Sequence, residues 1–324
     1  MFAARGFAVS SSTFFILYSV LSLVVCLVWQ SVWVRGHQGS ARRCADLLFF
    51  LRMLPLVAAM GATFLFAVPS FLLLEPRAVE ESMGAVALVL GCCGTAVMLA
   101  GAWNAVVASV RAARTVAGWS IDADARVISS SDADSNQPVC VMRTAAPAPP
   151  LSAAGILRPR VWLSCAAEFV LTERELRSAL RHEMVHVRRR DNLRKLFLRL
   201  VAFPGMGQLE CAWREATEMA ADDAAVSSAS EALDLAAAVI KLSRLAPLQP
   251  PAELATALVH SPAESVNARV ERLIRWTEAR QSRVRNHSLV YTLWGSGGAA
   301  AITIALTYSE LLVRVHAATE WLVR

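Results

Sequence analysis

The sequence predicts a mainly α-helical membrane protein, with four transmembrane helices and a cytoplasmic, mostly helical domain that contains a small β-sheet. Hydrophobic residues make up 56% of the 324 residues and charged residues only 18%. This composition is too apolar for an ordinary soluble protein. In addition, four uncharged stretches are long enough to cross a hydrocarbon core of roughly 30 Å, which requires about 20 apolar residues.

The predicted spans cover residues 12–34, 53–74, 84–107 and 288–308. The alternative for each is a buried core helix, but the first three apolar runs are long for that. Glycines interrupt the fourth, yet no charge lies between Arg285 and Glu310, and helices in lipid tolerate glycine. The first run far exceeds the apolar part of a signal peptide, so we expect it to be a span.

The distribution of arginine predicts the orientation, because basic residues are retained on the cytoplasmic side. Four arginines lie between or at the edges of the first two spans, whereas acidic residues dominate the next loop. The N-terminus is therefore expected outside. Three segments follow: a three-helix transmembrane region (1–110), a cytoplasmic domain (111–285), and a fourth transmembrane helix with a short extracytoplasmic tail (286–324).

The seven cysteines and the net charge of +6 exclude some classes of function. The cysteines show no CxxC pairing, so neither a disulfide framework nor a cysteine zinc site is predicted. We attribute the positive charge to the retention of basic residues on the cytoplasmic side and to the attraction of these residues to the membrane surface. A lipid bilayer is thus an expected partner, and direct nucleic-acid binding is not expected.

The cytoplasmic segment begins with a polar stretch, 122–137, that is expected to be loosely structured. Short strands are predicted over 139–142 and 161–163. Thr172 and Glu175 form a capping-box pattern that opens a helix reaching to about residue 190. The apolar face of a helix over 192–203 is expected to cover the domain core, with the inner leaflet as the alternative. Further helices are predicted over 212–227, 231–245 and 263–282.

The segment His182-Glu183-Met184-Val185-His186 is the strongest chemical signal. Histidines four residues apart project from one helical face, so both can bind a single Zn²⁺ ion. Glu183 then lies beside an open coordination position, where a carboxylate acts as general base on a zinc-bound water. The alternative is a chance pair of surface histidines.

A zinc site needs a third protein ligand, and Glu218, 32 residues beyond His186, is the candidate. Asp222 follows on the same helical face and can accept a hydrogen bond from a ligand histidine, which fixes the tautomer of that ring. The alternative is a solvated acidic face. The residue that stabilises an oxyanion is not identified, although His260 and the arginines are candidates.

The motif and its surroundings resemble the membrane metallopeptidases of the BlaR and MecR type, the beta-lactam signal transducers and their relatives. Three segments carry the resemblance, namely 155–163, 181–192 and 218–224. It implies a gluzincin-type zinc metallopeptidase domain with His182, His186 and Glu218 as ligands and Glu183 as catalytic acid/base. It also implies a zinc endopeptidase of the cell (inner) membrane that cleaves a cytoplasmic protein, such as a transcriptional repressor, in signal transduction.

This chain departs from the sensors after residue 308, where too few residues follow for a penicillin-binding domain. A separate sensor partner, the outside loop or the short tail would then supply any signal. Two alternatives remain. One is a quality-control peptidase that resembles the HtpX and CAAX-processing type, and the other is a non-catalytic receptor or scaffold that holds zinc for structure.

Overall fold

The computed structural model is mostly helical and carries one small mixed sheet. It describes residues 2–37, 39–76, 84–121, 123–128, 139–145, 148–245, 254–258, 263–276 and 306–320. Three of its helical segments are long and apolar enough to cross a membrane. They are Phe2–Val34, Ala41–Leu74 and Ala85–Ser120.

The three candidate spans, called the membrane segments below, contain four α-helices and one π-helical turn. The helices are α1 (Phe2–His37), α2 (Ala41–Ala62), α3 (Val68–Leu74) and α4 (Ala85–Ser120). The π-helical turn, Thr63–Ala67, lies between α2 and α3. The second segment begins at Ala41, 12 residues before its predicted start. The charges of Arg42, Arg43 and Arg52 ended the apolar run, but Arg52 is accommodated because its Nη1 donates to Met206 O at 3.0 Å.

Most of the predicted fourth span lies outside the described residues, which resume at 306. Residues 306–320 form a helix alongside the second membrane segment. Tyr308 donates to Leu65 O at 2.7 Å, and Ser70 donates to Leu312 O at 3.0 Å. The predicted end of the span at residue 308 therefore falls inside a helix that continues along this segment.

The described strands of the domain are β1 (Ala123–Ile128), β2 (Val139–Thr144), β3 (Leu151–Ala154), β4 (Arg160–Ser164) and β5 (Thr256–Ala257). They form one sheet in the order β1-β2-β4-β3-β5. Strands β2 and β4 pair in parallel, and the other three pairs are antiparallel. The turn between β3 and β4 contains Gly155 at φ +106°, where a Cβ would lie 2.9 Å from Arg158 O. Glycine is required there because L side chains rarely adopt this φ.

The prediction of a loosely structured stretch over 122–137 was wrong for its first part, because residues 123–128 form β1. The alternation of apolar residues with Asp124 and Arg126 fits an edge strand, and strand β2 provides the pairing. The serine and aspartate content of the longer stretch concealed this pattern.

The described helices of the domain are α5 (Cys165–Val170), α6 (Glu173–Arg189), α7 (Asp191–Leu200), α8 (Gly207–Ala225), α9 (Ala229–Leu245) and α10 (Ala263–Ile274). The bounds of α6 to α9 lie within five residues of the predicted ones. Helix α5 was not predicted, and α10 ends at Ile274, whereas the prediction extended it to residue 282. The capping box at the start of α6 is confirmed. Glu175 N donates to Thr172 Oγ1 at 3.4 Å, and Thr172 N donates to Glu175 Oε2 at 2.8 Å.

The α7–α8 hairpin (residues 191–225) packs against the membrane helices. Buried Leu198, Leu209 and Trp213 share one core with Phe14 and Tyr18 of α1. At the tip of the hairpin, the rings of Tyr18 and Phe203 meet edge to face, with centroids 5.8 Å apart. The face of α7 thus covers a core that the domain shares with the membrane segments, rather than a core of the domain alone.

Candidate metal centre

Helix α6 carries His182, Glu183 and His186, and all three side chains are buried. The rings of the two histidines face Glu218 of α8. One turn of helix separates the histidines, so their rings lie one above the other with centroids 4.8 Å apart. The helix ends at Arg190, which adopts the left-handed conformation at φ 53° and ψ 43°. This conformation turns the chain sharply, and α7 begins at the next residue.

Glu218 of α8 completes a cluster with the two histidines. The Nε2 atoms of His182 and His186 are 3.1 Å apart. Glu218 Oε2 lies 3.5 Å from His182 Nε2, and Glu218 Oε1 lies 3.6 Å from His186 Nε2. The structure therefore brings together the three side chains that the sequence analysis proposed as ligands, and this group could hold a metal ion.

Each histidine also contacts an aspartate carboxylate through its Nδ1 atom. Asp222 Oδ1 lies 3.0 Å from His182 Nδ1, and Asp191 Oδ2 lies 2.8 Å from His186 Nδ1. Both aspartates are fully buried. Such contacts favour a proton on Nδ1 and leave the Nε2 lone pair directed at the cluster. When both rings are neutral, these two lone pairs and the carboxylate of Glu218 repel one another unless a cation lies between them.

The two histidine nitrogens are spaced like ligands of a small tetrahedral ion. Ligand nitrogens about 2.0–2.1 Å from Zn²⁺ lie roughly 3.3 Å apart in tetrahedral geometry. The Nε2 atoms here are 3.1 Å apart, and each has a different oxygen of the Glu218 carboxylate at 3.5 or 3.6 Å. Three protein ligands with an open fourth position are typical of catalytic rather than structural zinc sites.

Glu183 is fully buried, and neither of its carboxylate oxygens has a hydrogen-bond partner among the described residues. A buried carboxylate without a partner is costly, so it calls for an explanation. Burial raises the pKa of Glu183 to about 7, against the lowering effect of His186 and His182. Its carboxyl group therefore exchanges a proton near neutral pH, which is the property that a general acid/base needs.

Arg269 of α10 contacts both carboxylates that α8 contributes to the cluster, Asp222 and Glu218. Its Nε donates to Asp222 Oδ2 at 2.8 Å, and its Nη2 donates to Asp222 Oδ1 at 2.7 Å. Its Nη1 lies 3.1 Å from Glu218 Oε2 and also donates to Leu258 O at 2.8 Å. A single buried guanidinium thus positions Glu218, Asp222 and the segment that carries β5.

Glu218 and Asp222 stay ionised at neutral pH. Burial opposes ionisation, but His186 and Arg269 lower the pKa of Glu218 to about 2. Arg269 and His182 likewise hold the pKa of Asp222 well below its usual range. Burial lowers the pKa of His182, but its contacts with Asp222 and Glu218 outweigh that effect and raise the pKa to about 9. The metal-free cluster therefore attracts positive charge.

Helix α7 adds two residues that link the cluster to the sheet. Asn192 Nδ2 donates to Ala153 O at 3.0 Å and to Gly155 O at 3.1 Å. Lys195 Nζ donates to Ala255 O at 2.8 Å. Burial lowers the pKa of Lys195 to about 8, although the charge of Glu218 acts in the opposite direction. Both side chains tie α7 to the β3 and β5 edge.

Sequence reasoning gave no role to Asp191, Lys195 or Arg269. Asp191 follows the second histidine by five residues, so its proximity to the motif was a usable signal. Arg269 lies 47 residues beyond Asp222, and only the tertiary fold brings the two together. His260 lies outside the described residues. No protein-family model and no curated protein matches this chain.

Proposed function

We propose that this protein is a membrane-embedded zinc endopeptidase, with Zn²⁺ held by His182, His186 and Glu218. The observation that carries the proposal is the convergence of these three side chains next to the buried Glu183, whose carboxylate has no hydrogen-bond partner in the part of the chain that the structure describes. A structural zinc site usually fills all four positions with protein ligands and needs no base. The arrangement thus favours a hydrolase over a non-catalytic receptor or scaffold.

The side chains of the site have distinct roles in the proposed reaction. Bound zinc supplies Lewis-acid polarisation of a peptide carbonyl and a nucleophile derived from water at neutral pH. Glu183 accepts the proton of the attacking water and passes it to the departing amine. Asp222 and Asp191 hold the ligand rings in the productive tautomer, and Arg269 holds Glu218 and Asp222 in place.

The arginine distribution supports a cytoplasmic site in a cell membrane, with the N-terminus outside. The substrate is then a cytoplasmic protein. The resemblance to the BlaR and MecR type favours a repressor or similar regulator as that substrate. It also favours a signal from a separate membrane partner. A quality-control peptidase that resembles the HtpX and CAAX-processing type is the competing assignment.

The test compares wild type, Glu183→Gln and Glu173→Gln in lipid nanodiscs, with fluorescein-labelled casein as substrate. Glu173 is an exposed residue of the same helix, so its substitution removes a like charge away from the cluster. We expect Glu183→Gln to keep its metal and to lose cleavage by about 10²- to 10⁴-fold, the usual contribution of a general base. Equal cleavage by wild type and Glu183→Gln, or cleavage by neither, would contradict the proposal.

A trapping experiment separates the two kinds of substrate. Glu183→Ala retains the ligands, so it should hold uncleaved substrate during purification from its host cells. A captured DNA-binding regulator supports the signalling assignment. An assortment of misfolded membrane proteins instead supports quality control.

A further inference from the structure

The turn between β3 and β4, residues 155–160, exposes a large apolar side chain next to two arginines. Leu157 has 83% of its surface exposed, and Arg158 and Arg160 are exposed as well. Neither guanidinium has an ion-pair or hydrogen-bond partner among the described residues. The turn contains no acidic residue, so its two arginines give it a formal charge of +2.

The backbone of this turn is anchored to α7. Gly155 adopts φ +106°, and its carbonyl oxygen accepts a hydrogen bond from Asn192 Nδ2 at 3.1 Å. Asn192 directly follows Asp191, which contacts His186 of the candidate metal centre. The exposed side chains therefore belong to a fixed part of the domain, and this part is joined to α7.

The turn lies beside α4, just past residue 107, where the predicted span ends. Ile156 packs against the cluster that Ala108 and Ala112 of α4 form with Leu254. Ala112 is five residues beyond 107, which is at most about 7.5 Å along the membrane normal at about 1.5 Å per residue. The headgroup region on each side of the hydrocarbon core is about 5–7.5 Å thick. Ile156 and its neighbour Leu157 thus lie at the level of the lipid headgroups.

Lipid can reach this level because another face of α4 is uncovered. Val106 and Val110 are exposed, and α4 is one of the three candidate membrane spans. Exposed apolar side chains enter the boundary between headgroups and acyl chains, and arginines near the surface are attracted to anionic lipids. The exposed leucine and the two arginines without partners match these two layers of the membrane surface.

We propose that the β3–β4 turn is a membrane-contact site. Leu157 inserts between the lipids of the adjacent leaflet, and Arg158 and Arg160 bind the phosphates of anionic phospholipids. The contact attaches the domain to the membrane at a second place, in addition to the core that it shares with the membrane segments. It also holds the turn that Asn192 joins to α7. This inference goes beyond the proposed peptidase activity and does not depend on it.

The test places a fluorescent probe on the turn of the full-length protein in phosphatidylglycerol nanodiscs. Leu157→Cys and Phe169→Cys, each in a background without native cysteines, are labelled with the fluorophore NBD. A lipid with a spin label near its headgroup then quenches any probe that enters the membrane. We expect quenching at position 157 to be at least about threefold stronger than at position 169, because only the turn reaches the headgroup boundary.

Phe169 of α5 is the matched control, because it is also a large, exposed apolar side chain. It follows β4, whose Trp162 meets Trp119 near the end of α4 that is farther from the predicted span. Equal quenching at the two positions, or no quenching at position 157, would overturn the proposal. A probe at position 157 that is shielded from water but not quenched would show that protein covers the leucine, which would also overturn it.

The charge of the turn is tested in the same nanodiscs. Arg158→Gln should reduce the quenching at position 157 by about twofold, because it removes one of the two cations that attract anionic lipid. Arg174→Gln is the control, since Arg174 is an exposed arginine in the first turn of α6. It should leave the quenching unchanged. Equal losses in the two variants would show general surface attraction and contradict a specific role of the turn.

Hydrogen exchange of the wild-type protein needs no substitution, so it decides the question if the cysteine-free chain does not fold. The backbone amides of residues 155–160 should exchange at least about threefold more slowly in phosphatidylglycerol nanodiscs than in phosphatidylcholine nanodiscs, because anionic lipid holds the arginines. The amides of α5 should exchange at the same rate in both. Equal rates for the turn in the two lipids would contradict the proposal.

Discussion

At the scale of single residues, the candidate metal centre depends on pairs of side chains in which an aspartate orients a histidine. His182 is backed by Asp222 and His186 by Asp191, so both rings present Nε2 to the same point. Arg269 in turn pairs with Asp222 and Glu218. This guanidinium offsets only part of the negative charge of the three carboxylates that contact the histidines.

The aspartates behind the histidines should set the affinity for metal. Asp222→Asn and Asp191→Asn should each weaken Zn²⁺ binding about 10- to 100-fold, because the ring loses the acceptor that fixes its tautomer. Competition with a chelating dye measures this affinity. Asp223→Asn is the control, since Asp223 pairs with Arg272 outside the cluster. Unchanged affinity in both test variants would show that the aspartates have only a structural role.

At the scale of elements, the contact between α4 and α7 joins the membrane segments to the domain. Gly101 of α4 lies against the backbone of Leu200, where a Cβ would come within 2.3 Å of the carbonyl oxygen. Helix α4 then continues to Trp119, whose ring meets that of Trp162 of β4 edge to face with centroids 5.8 Å apart. Helix α4 thus contacts both the α7–α8 hairpin and the sheet, and it fixes their positions relative to the membrane segments.

Two glycine substitutions test this contact. Gly101→Ala should destabilise the protein by about 1–3 kcal/mol, because the two backbones must move apart to admit the methyl group. Gly118→Ala on the same helix should stabilise by about 0.5–1 kcal/mol, since nothing lies within 4 Å and alanine favours a helix. Thermal unfolding of both variants in detergent measures the difference. The same Tm for the two would contradict the close approach of α4 and α7.

The parts of the fold that follow local rules were predictable, and the parts that depend on tertiary contacts were not. Capping and histidine spacing predicted α6 and its face, and the position of Glu218 and Asp222 on one helical face identified that pair. Strand β5 is only two residues long, Thr256–Ala257, and forms because β3 pairs with it. Arg269 reaches its partners through the packing of α10, which no local pattern reveals.

At the scale of the whole molecule, the domain and the membrane segments share one hydrophobic core instead of meeting at a flexible linker. Arg52, Met206 and Glu210 connect α2 to the hairpin, and the hairpin carries Glu218. A displacement of the membrane helices would therefore act on α8 directly. Hydropathy identified the candidate spans, but it could not reveal this packing. The charge of Arg52 placed it in a predicted loop, and only the structure shows that it lies inside a helix and bonds to Met206 and Glu210.

The proposed orientation predicts which side of the membrane each segment occupies. Single cysteines introduced by Glu173→Cys and Ser82→Cys, in a background without native cysteines, are labelled with a membrane-impermeant maleimide. Glu173 belongs to the domain that contains the candidate metal centre, and Ser82 lies between the second and third predicted spans. We expect labelling of the first only in inverted vesicles and of the second only in intact cells. The reverse pattern would place the domain outside.

The metal content of the purified protein tests the central claim most directly. Elemental analysis of wild type, Glu218→Gln and Glu215→Gln compares a proposed ligand with an exposed glutamate three residues earlier on the same helix. The account predicts about one zinc ion per chain in wild type and in Glu215→Gln, and almost none in Glu218→Gln. Full zinc content in Glu218→Gln, or no bound metal in wild type after purification with zinc, would contradict it.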